Sequence, residues 1–471
     1  MHEANGDQRG SGVPATAGVL VRVLRWLALG GVTLAALAAV LLGSAVLLNA
    51  RDEALSSAAR ALLTAPPNRY SPADNIYVAL QGFDAPPAES VVAVGQARLE
   101  NPDATRGEEP QRLGFRGDIS FIRPLETSVW DAAPQHEAQI GGLLAENREL
   151  LERYRDLLLL HGYYETAQPS VRVPAAAAPN EVRRLFLTQL ALQMRAPRRF
   201  ERQLGLAELE SDIQLWRRVL TGEGTLRWKM LAIANLQSDY LLLADLIADP
   251  DVQLAAGGDY GAALVPQFDA ADFDLGRAFA AEFRIQVATL RAPDAGAYRG
   301  AASWSERLAG RATDYFLKSN ATVNLLARDT LAWMAAAADP RSFQRLGSPT
   351  ARNAGVASLI GYNPLGTAMA SELTQSYRRY PPRAWDLAAL QRLVRLGYEI
   401  RRQRIAAAAI PAFLAAHPQW STHPASGAAF LWDAHTSQLQ LQTVAQHPRA
   451  WRFGIRIWQA PQPLAPQATP R

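Results

Sequence analysis

A chain of 471 residues with 48 basic and 44 acidic side chains has a formal net charge of only +4, and Lys229 and Lys318 are its two lysines among many arginines. No basic stripe with interleaved aromatics stands out, which argues against a nucleic-acid partner. The absence of cysteine excludes disulfides, thiol nucleophiles and thiolate metal sites.

Residues 1–25 read as a cytoplasmic tail and residues 26–49 as a transmembrane anchor. The stretch WLALGGVTLAALAAVLLGSAVLLN, Trp26 to Asn49, carries no charge. As a helix it reaches about 36 Å, enough to cross a hydrocarbon core of roughly 30 Å. The small residues Gly43 to Ala45 imitate a signal-peptide cut, but the apolar run is too long for one and continues past them. Arg9, Arg22 and Arg25 precede the segment, while Arg51 and Arg60 follow it beside Asp52 and Glu53. That balance slightly favours a cytoplasmic N terminus, and the short leader before a long remainder fits a single signal anchor. The expected location is the inner (cytoplasmic) membrane, with the C-terminal domain in the periplasm.

The expected fold is mainly α: one N-terminal transmembrane helix, then a helix-rich exported domain with a small C-terminal antiparallel β element. Asp52 to Ala65 is helical in composition and is expected either to continue the anchor outward or to start the body before Pro66 and Pro67 stop it. Two short helices are expected in NIYVALQGF and AESVVAVGQARLE. Residues 101–139, rich in Pro, Gly, Asp and Arg, read as a loop-rich insert. From Ile140 to Tyr163 the spacing predicts a helix with Leu143, Leu150, Tyr154 and Leu157 on one face and polar Asn147 in one slot of it, and EVRRLFLTQLALQM gives a second.

Residues 204–247 read as an αα-hairpin, with Leu206, Leu209, Ile213, Trp216 and Leu220 on one helix and Leu226, Met230, Ile233, Leu236, Tyr240 and Leu243 on the other, turned at TGEG. The second helix holds Asn235, Gln237, Asp239 and Asp245, which a buried soluble helix tolerates better than lipid does. Further helices are expected over 275–290, 305–337 and 385–409. Near the C terminus, FLWD, LQLQTV and the alternation Trp451, Phe453, Ile455, Ile457 predict strands, followed by a disordered tail over 461–471. Size favours two lobes, 50–290 and 304–460, divided near the Pro- and Gly-rich stretch 291–303.

No G-x-S-x-G nucleophile pattern and no phosphate-binding glycine loop is present, and no cofactor is expected. His417, His423, His435 and His447 crowd toward the C terminus, where turns of a sheet offer a route to a metal site; ordinary surface or turn histidines are the preferred reading. Glu208, Glu210, Asp212, Asp239 and Asp245 are the carboxylates that a glycan-cleaving hydrolase would draw on, although Asp239 and Asp245 read first as helix-edge acids or partners of an arginine.

The remaining candidates are binding residues. Tyr362 and Asn363 lie in GYNPLG, where Asn-Pro favours a turn, Pro364 suits the first position of a helix, and Gly361 and Gly366 permit a close or left-handed path. Lys318 and Asn320 lie in FLKSNATVNLLARD, a polar interruption between apolar positions. The expected function is that of a membrane-anchored envelope protein whose exported domain binds or scaffolds another envelope component, a protein or an extended ligand, with residues 26–49 in the lipid bilayer. The alternative is a membrane-anchored periplasmic hydrolase acting on a cell-envelope polymer.

Overall fold

The computed structural model describes residues 15–101, 112–166, 177–252, 270–291, 315–340, 343, 361–447 and 453–458. It is mainly helical with one small antiparallel sheet, as the composition and periodicity lead one to expect.

The first helix, α1 (Ala15–Leu48), is longer than the uncharged run, taking in Arg22 and Arg25. Its apolar side chains find no core: Trp26 is 75% exposed, Leu34 70% and Leu47 78%. Among its described side chains only that of Ala45 is buried, together with Asn49 just beyond its end. The helix stops there rather than continuing through Asp52: Asn49 to Arg51 turn the chain, and Asp52 to Ser56 is non-helical and lies against the body, as described below. The chain resumes as α2 (Ser57–Leu63), capped by its own Ser56 hydroxyl.

Two short helices, α3 (Ile76–Gln81) and α4 (Val91–Glu100), cross at contact distance. The glycines permit this. A Cβ on Gly82 would lie 1.9 Å from the Val91 carbonyl oxygen, and one on Gly95 would lie 2.0 Å from that of Val78.

Among the described residues the insert resumes at 112, and it ends earlier than expected, at α5 (Val129–Gln135) and α6 (Glu137–Glu146). Asn147 then divides α6 from α7 (Arg148–Leu158), where the periodicity predicts one helix. Its buried side chain accepts from the Arg116 N–H at 2.8 Å and donates to the Arg116 carbonyl at 2.9 Å. The polar slot on an apolar face is thus the clamp that holds the insert, and Ile119 and Ile122 of that insert are buried beside it.

The main bundle is α8 (Ala177–Arg195), α9 (Arg199–Thr221) and α10 (Leu226–Ala248), with α9 and α10 forming the expected hairpin. Leu209, Ile213, Trp216, Leu220, Leu226, Ile233, Leu236, Tyr240 and Leu243 are all buried. Each side chain of this size contributes roughly 1.5–3 kcal/mol on full burial. After α11 (Gly276–Arg291), α12 (Ser319–Ala337), α13 (Pro364–Gln375), α14 (Pro381–Arg402) and α15 (Ile410–Ala416) complete the helices. α10 packs on both α9 and α14 and is enclosed along nearly its whole length. It is long and apolar enough to cross a membrane, yet it is the central helix of the bundle.

Strands β1 (Leu431–Asp433), β2 (Gln438–Gln440) and β3 (Gly454–Arg456) form an antiparallel meander in the order β1-β2-β3. Leu439 pairs with Ile455, and both are buried. β2 ends before Val444, because the Val444 and Ala445 N–H groups turn away to the Asp386 carboxylate on α14.

The largest apolar core runs from Ile76 to Ile457. A smaller one joins α2, α11, α12 and α13 through Ala59, Phe283, Val287, Val323, Leu326 and Ala370. Both cores draw on chain from either side of the stretch 291–303, nearly all of which lies outside the described residues, as do Trp451 and the expected tail. Gly95→Ala places a methyl into the Val78 carbonyl, so it should lower stability by about 1–3 kcal/mol. A shift of the denaturant midpoint reads that loss, and an unchanged midpoint would mean that α3 and α4 can separate freely.

Candidate functional site

The first N–H groups of a helix have no partner within it. At α12 the cap residue, Lys318, offers no side-chain acceptor. The acceptor comes from the segment after α1: the Asp52 carboxylate takes the Asn320 N–H at 2.8 Å and the Ala321 N–H at 3.1 Å. A carboxylate in that place also meets the positive end of the helix dipole. The contact continues outward along both segments. Asn320 Nδ2 donates to the Glu53 carbonyl at 3.0 Å, and Asn324 Nδ2 to the Glu53 carboxylate at 2.6 Å. Asn324 Oδ1 accepts the Ser56 N–H at 2.8 Å.

GYNPLG closes the same seam from the other side. Asn363, buried and with φ 55°, takes the left-handed conformation itself and starts α13 ahead of Pro364. Its N–H donates to Asn49 Oδ1 at 2.8 Å, and Asn49 Nδ2 donates to the Gly361 carbonyl at 3.0 Å. Asn363 Oδ1 accepts the Lys318 N–H at 2.8 Å, while its Nδ2 donates to Thr322 Oγ1 at 3.1 Å. Gly366 allows this approach, since a Cβ there would lie 1.9 Å from Thr322 Oγ1. The Tyr362 hydroxyl donates to Asp52 at 3.3 Å and accepts the Glu53 N–H at 3.1 Å. Partial burial, then the charges of Asp52 and Glu53, raise its pKa, so it stays a neutral donor.

Tyr362, Asn363, Lys318 and Asn320 are therefore neighbours, joined by residues that sequence reading left out: Asn49, Asp52 and Glu53. The available signal was an asparagine closing an apolar run, followed three and four residues later by an acidic pair. The Lys318 ammonium lies over the Tyr315 ring at 4.9 Å, and the Tyr315 hydroxyl donates to the Val46 carbonyl of α1. The arrangement is a fastening between α1 and the body.

A groove opens elsewhere, beside α2 and α11. A space of about 580 Å³ is bordered by Leu62, Pro66, Tyr70, Gly222, Arg277 and Met334, and one of about 250 Å³ by Glu165, Thr225 and Ile285. Tyr164, Glu223 and Arg284 border both. Beneath them, the start of α10 is capped from a distance. Glu165 accepts the Thr225 N–H at 2.5 Å, and Glu282 accepts the Leu226 N–H at 2.9 Å. Burial raises the pKa of both glutamates.

Lys229 reaches back from α10 to the end of α9, donating to the Val219 carbonyl at 2.7 Å and to the Gly222 carbonyl. Burial lowers its pKa from 10.5 to about 7, against the opposing charges of Glu165 and Glu223. A lysine can shed its proton in such a place, whereas an arginine cannot.

Four of the five carboxylates considered for hydrolysis, Glu208, Asp212, Asp239 and Asp245, are engaged in the bundle. Arg183 binds Asp212 at 2.9 Å and also Asp239, and the Tyr154 hydroxyl donates to Asp212 at 2.5 Å. Burial raises the Asp239 pKa despite Arg183. Glu208 binds Arg155, and Asp245 binds Ser128 and Arg456.

Two of the C-terminal histidines do converge. His423 Nε2 lies 3.0 Å and His447 Nε2 2.7 Å from the Asp386 carboxylate. His423 Nδ1 accepts the Ala425 N–H at 3.1 Å, which leaves Nε2 as the donor. Burial raises the Asp386 pKa, but its four hydrogen bonds outweigh that and hold it below the usual carboxylate range. His417 stacks on Trp420, and His435 is exposed in the β1–β2 turn. Among the described residues no group of three His, Cys, Asp or Glu side chains is placed to hold a metal ion.

No known protein family, curated protein or solved structure matches this chain.

Two outcomes follow for the caps. Asp52→Ala removes the acceptor for two N–H groups of α12 and should cost roughly 0.5–2 kcal/mol. Hydrogen exchange at Asn320 and Ala321 should rise with it, and unchanged protection there would contradict the assignment. For Lys229, the unfolded chain holds a proton that the folded chain lacks between pH 7 and 10.5, so stability rises with pH across that window. Wild type should gain on Lys229→Met between pH 7 and pH 9, as read from denaturant midpoints; parallel profiles would mean that Lys229 keeps its ordinary pKa.

Proposed function

We propose that this chain is a single-pass protein of the inner membrane, with its N terminus cytoplasmic, whose periplasmic helical body binds or scaffolds another envelope component. One observation carries the reading. The described apolar side chains of α1, Ala45 excepted, are exposed, while Asn49 just past its C-terminal end is buried and hydrogen-bonded to Gly361 and Asn363.

An exposed run of this length suits lipid, and the enclosed end fixes the body relative to it. A flexible linker would let the body search a large volume; a fastened one presents one face at a set height above the bilayer. That arrangement suits recognition at a defined place in the envelope. The hydrolase reading draws on carboxylates that are tied to Arg183, Arg155 and Arg456, and no observation favours it over binding.

The test combines topology with recovery of a partner. Alkaline phosphatase fused after the C terminus should be active, the chain should resist extraction by alkaline carbonate, and the full-length protein should come out of mildly crosslinked native membranes with a stoichiometric companion. Release by carbonate, an inactive fusion, or repeated purification of the chain alone would each remove a part of the proposal.

A further inference from the structure

A separate space of about 370 Å³ opens where the first turns of α10 meet the start of α14. Spacings of three and four put Arg227, Met230, Leu231, Ala234 and Gln237 along one face of α10, and Arg383 borders the space from the first turn of α14. In the groove beside α2 and α11 acids face the arginines, with Glu223 paired to Arg277. Here the bordering residues include two arginines and no acid. Arg227 is exposed and Arg383 half-buried, and neither guanidinium has a carboxylate partner among the described residues. Glu282, at the start of the same helix, is taken by the Leu226 N–H. The rest of the wall is apolar through Met230, Leu231, Ile233 and Ala234, apart from two polar groups. These are the Trp228 indole N–H and Gln237 Oε1, on side chains each 4% exposed, and neither atom has a hydrogen-bond partner among the described residues.

We infer that this space binds a single-chain amphiphile with one carboxylate head, the head paired to Arg227 and Arg383 and the apolar body laid along Met230, Leu231, Ile233 and Ala234. The inference goes beyond the recognition role proposed above and does not depend on it, because it concerns a small molecule held by the body alone. A largely apolar cavity with a few convergent polar groups is the usual form of a small-molecule site. Two cations with no acid between them attract an anion, and the guanidinium fork matches a carboxylate in parallel hydrogen bonds. An oxygen of the head also gives the Trp228 N–H the acceptor that the body withholds, and a buried donor is costly to leave unmet. Size selects the body of the ligand. At about 30 Å³ for each water-sized group the space takes roughly a dozen of them, the bulk of a medium-length fatty acid, whereas the two chains of a phospholipid exceed it. A peptide would bring backbone N–H and C=O groups against the apolar wall, where they find few partners.

Photolabelling tests the proposal on the full chain in phosphatidylcholine nanodiscs, with decanoic acid carrying a diazirine at its far end as the probe. Label should map by mass spectrometry to residues 227–237 of α10 or to the first turn of α14. Unlabelled decanoate should suppress it at least tenfold more effectively than decanol, which has the same chain and no charge. The Arg227→Gln, Arg383→Gln double variant should lose label at least tenfold, and its melting temperature shows whether it remains folded. Replacing half of the lipid by phosphatidylglycerol should leave the labelling unchanged. Label confined to other parts of the chain, equal suppression by decanol, or undiminished label in a folded double variant would overturn the proposal. Loss of label in the phosphatidylglycerol discs would overturn it as well, since the site would then take a phospholipid head. The decanol comparison uses the unaltered protein, so it decides the role of charge even if the double variant does not fold.

Discussion

Two backbone N–H groups at the start of α12 have no acceptor within their own helix, and the carboxylate that satisfies them belongs to Asp52, 268 residues away from Asn320. Everything around the end of α1 follows from that pairing. To reach α12, the chain leaves helical form at Asn49, turns through Arg51 and continues without helix to Ser56. There its carbonyls meet Asn320 and Asn324. The break also frees Asn49 to hold the GYNPLG turn, which in turn fixes Asn363 against Lys318 and Thr322. One orphaned helix end thereby organises a junction of four segments.

The same device recurs at α10, where Glu165 and Glu282 cap the first N–H groups and Lys229 caps the carbonyls at the end of α9. Asp386 acts similarly, gathering two histidines and two backbone N–H groups to hold the sheet on α14. In each case a charged group on one element satisfies the end of another. Buried charge of this kind is costly unless fully hydrogen-bonded, which ties the correct placement of each element to the others.

How much of this the sequence displays depends on the distance over which each cause acts. The α9–α10 hairpin is visible because its cause is local: apolar residues at spacings of three and four, with glycines between. That α10 is buried within the body is visible too, in Asn235 and Asp239. Their partner Arg183 is not, because it lies on a different helix. The break at Asn147 looks like a polar slot on a continuous helix until Arg116 is seen beside it. Tyr362, Asn363, Lys318 and Asn320 stand out as polar interruptions in apolar surroundings, which is a local signal. That they share one seam, and that Asn49, Asp52 and Glu53 complete it, is a matter of tertiary contact, and no periodicity records it.

Through Asn49 and Asp52, α1 is fastened to the body rather than hinged on it. The chain has no cysteine, so two introduced ones, at Leu47 on α1 and at Met369 on α13, give the only spin-label sites. A pulsed electron resonance distance measurement on the full chain in lipid nanodiscs should give one narrow distribution, which broadens when Asn49 and Asp52 are both replaced by alanine. A distribution already broad in the protein with Asn49 and Asp52 intact would contradict the account.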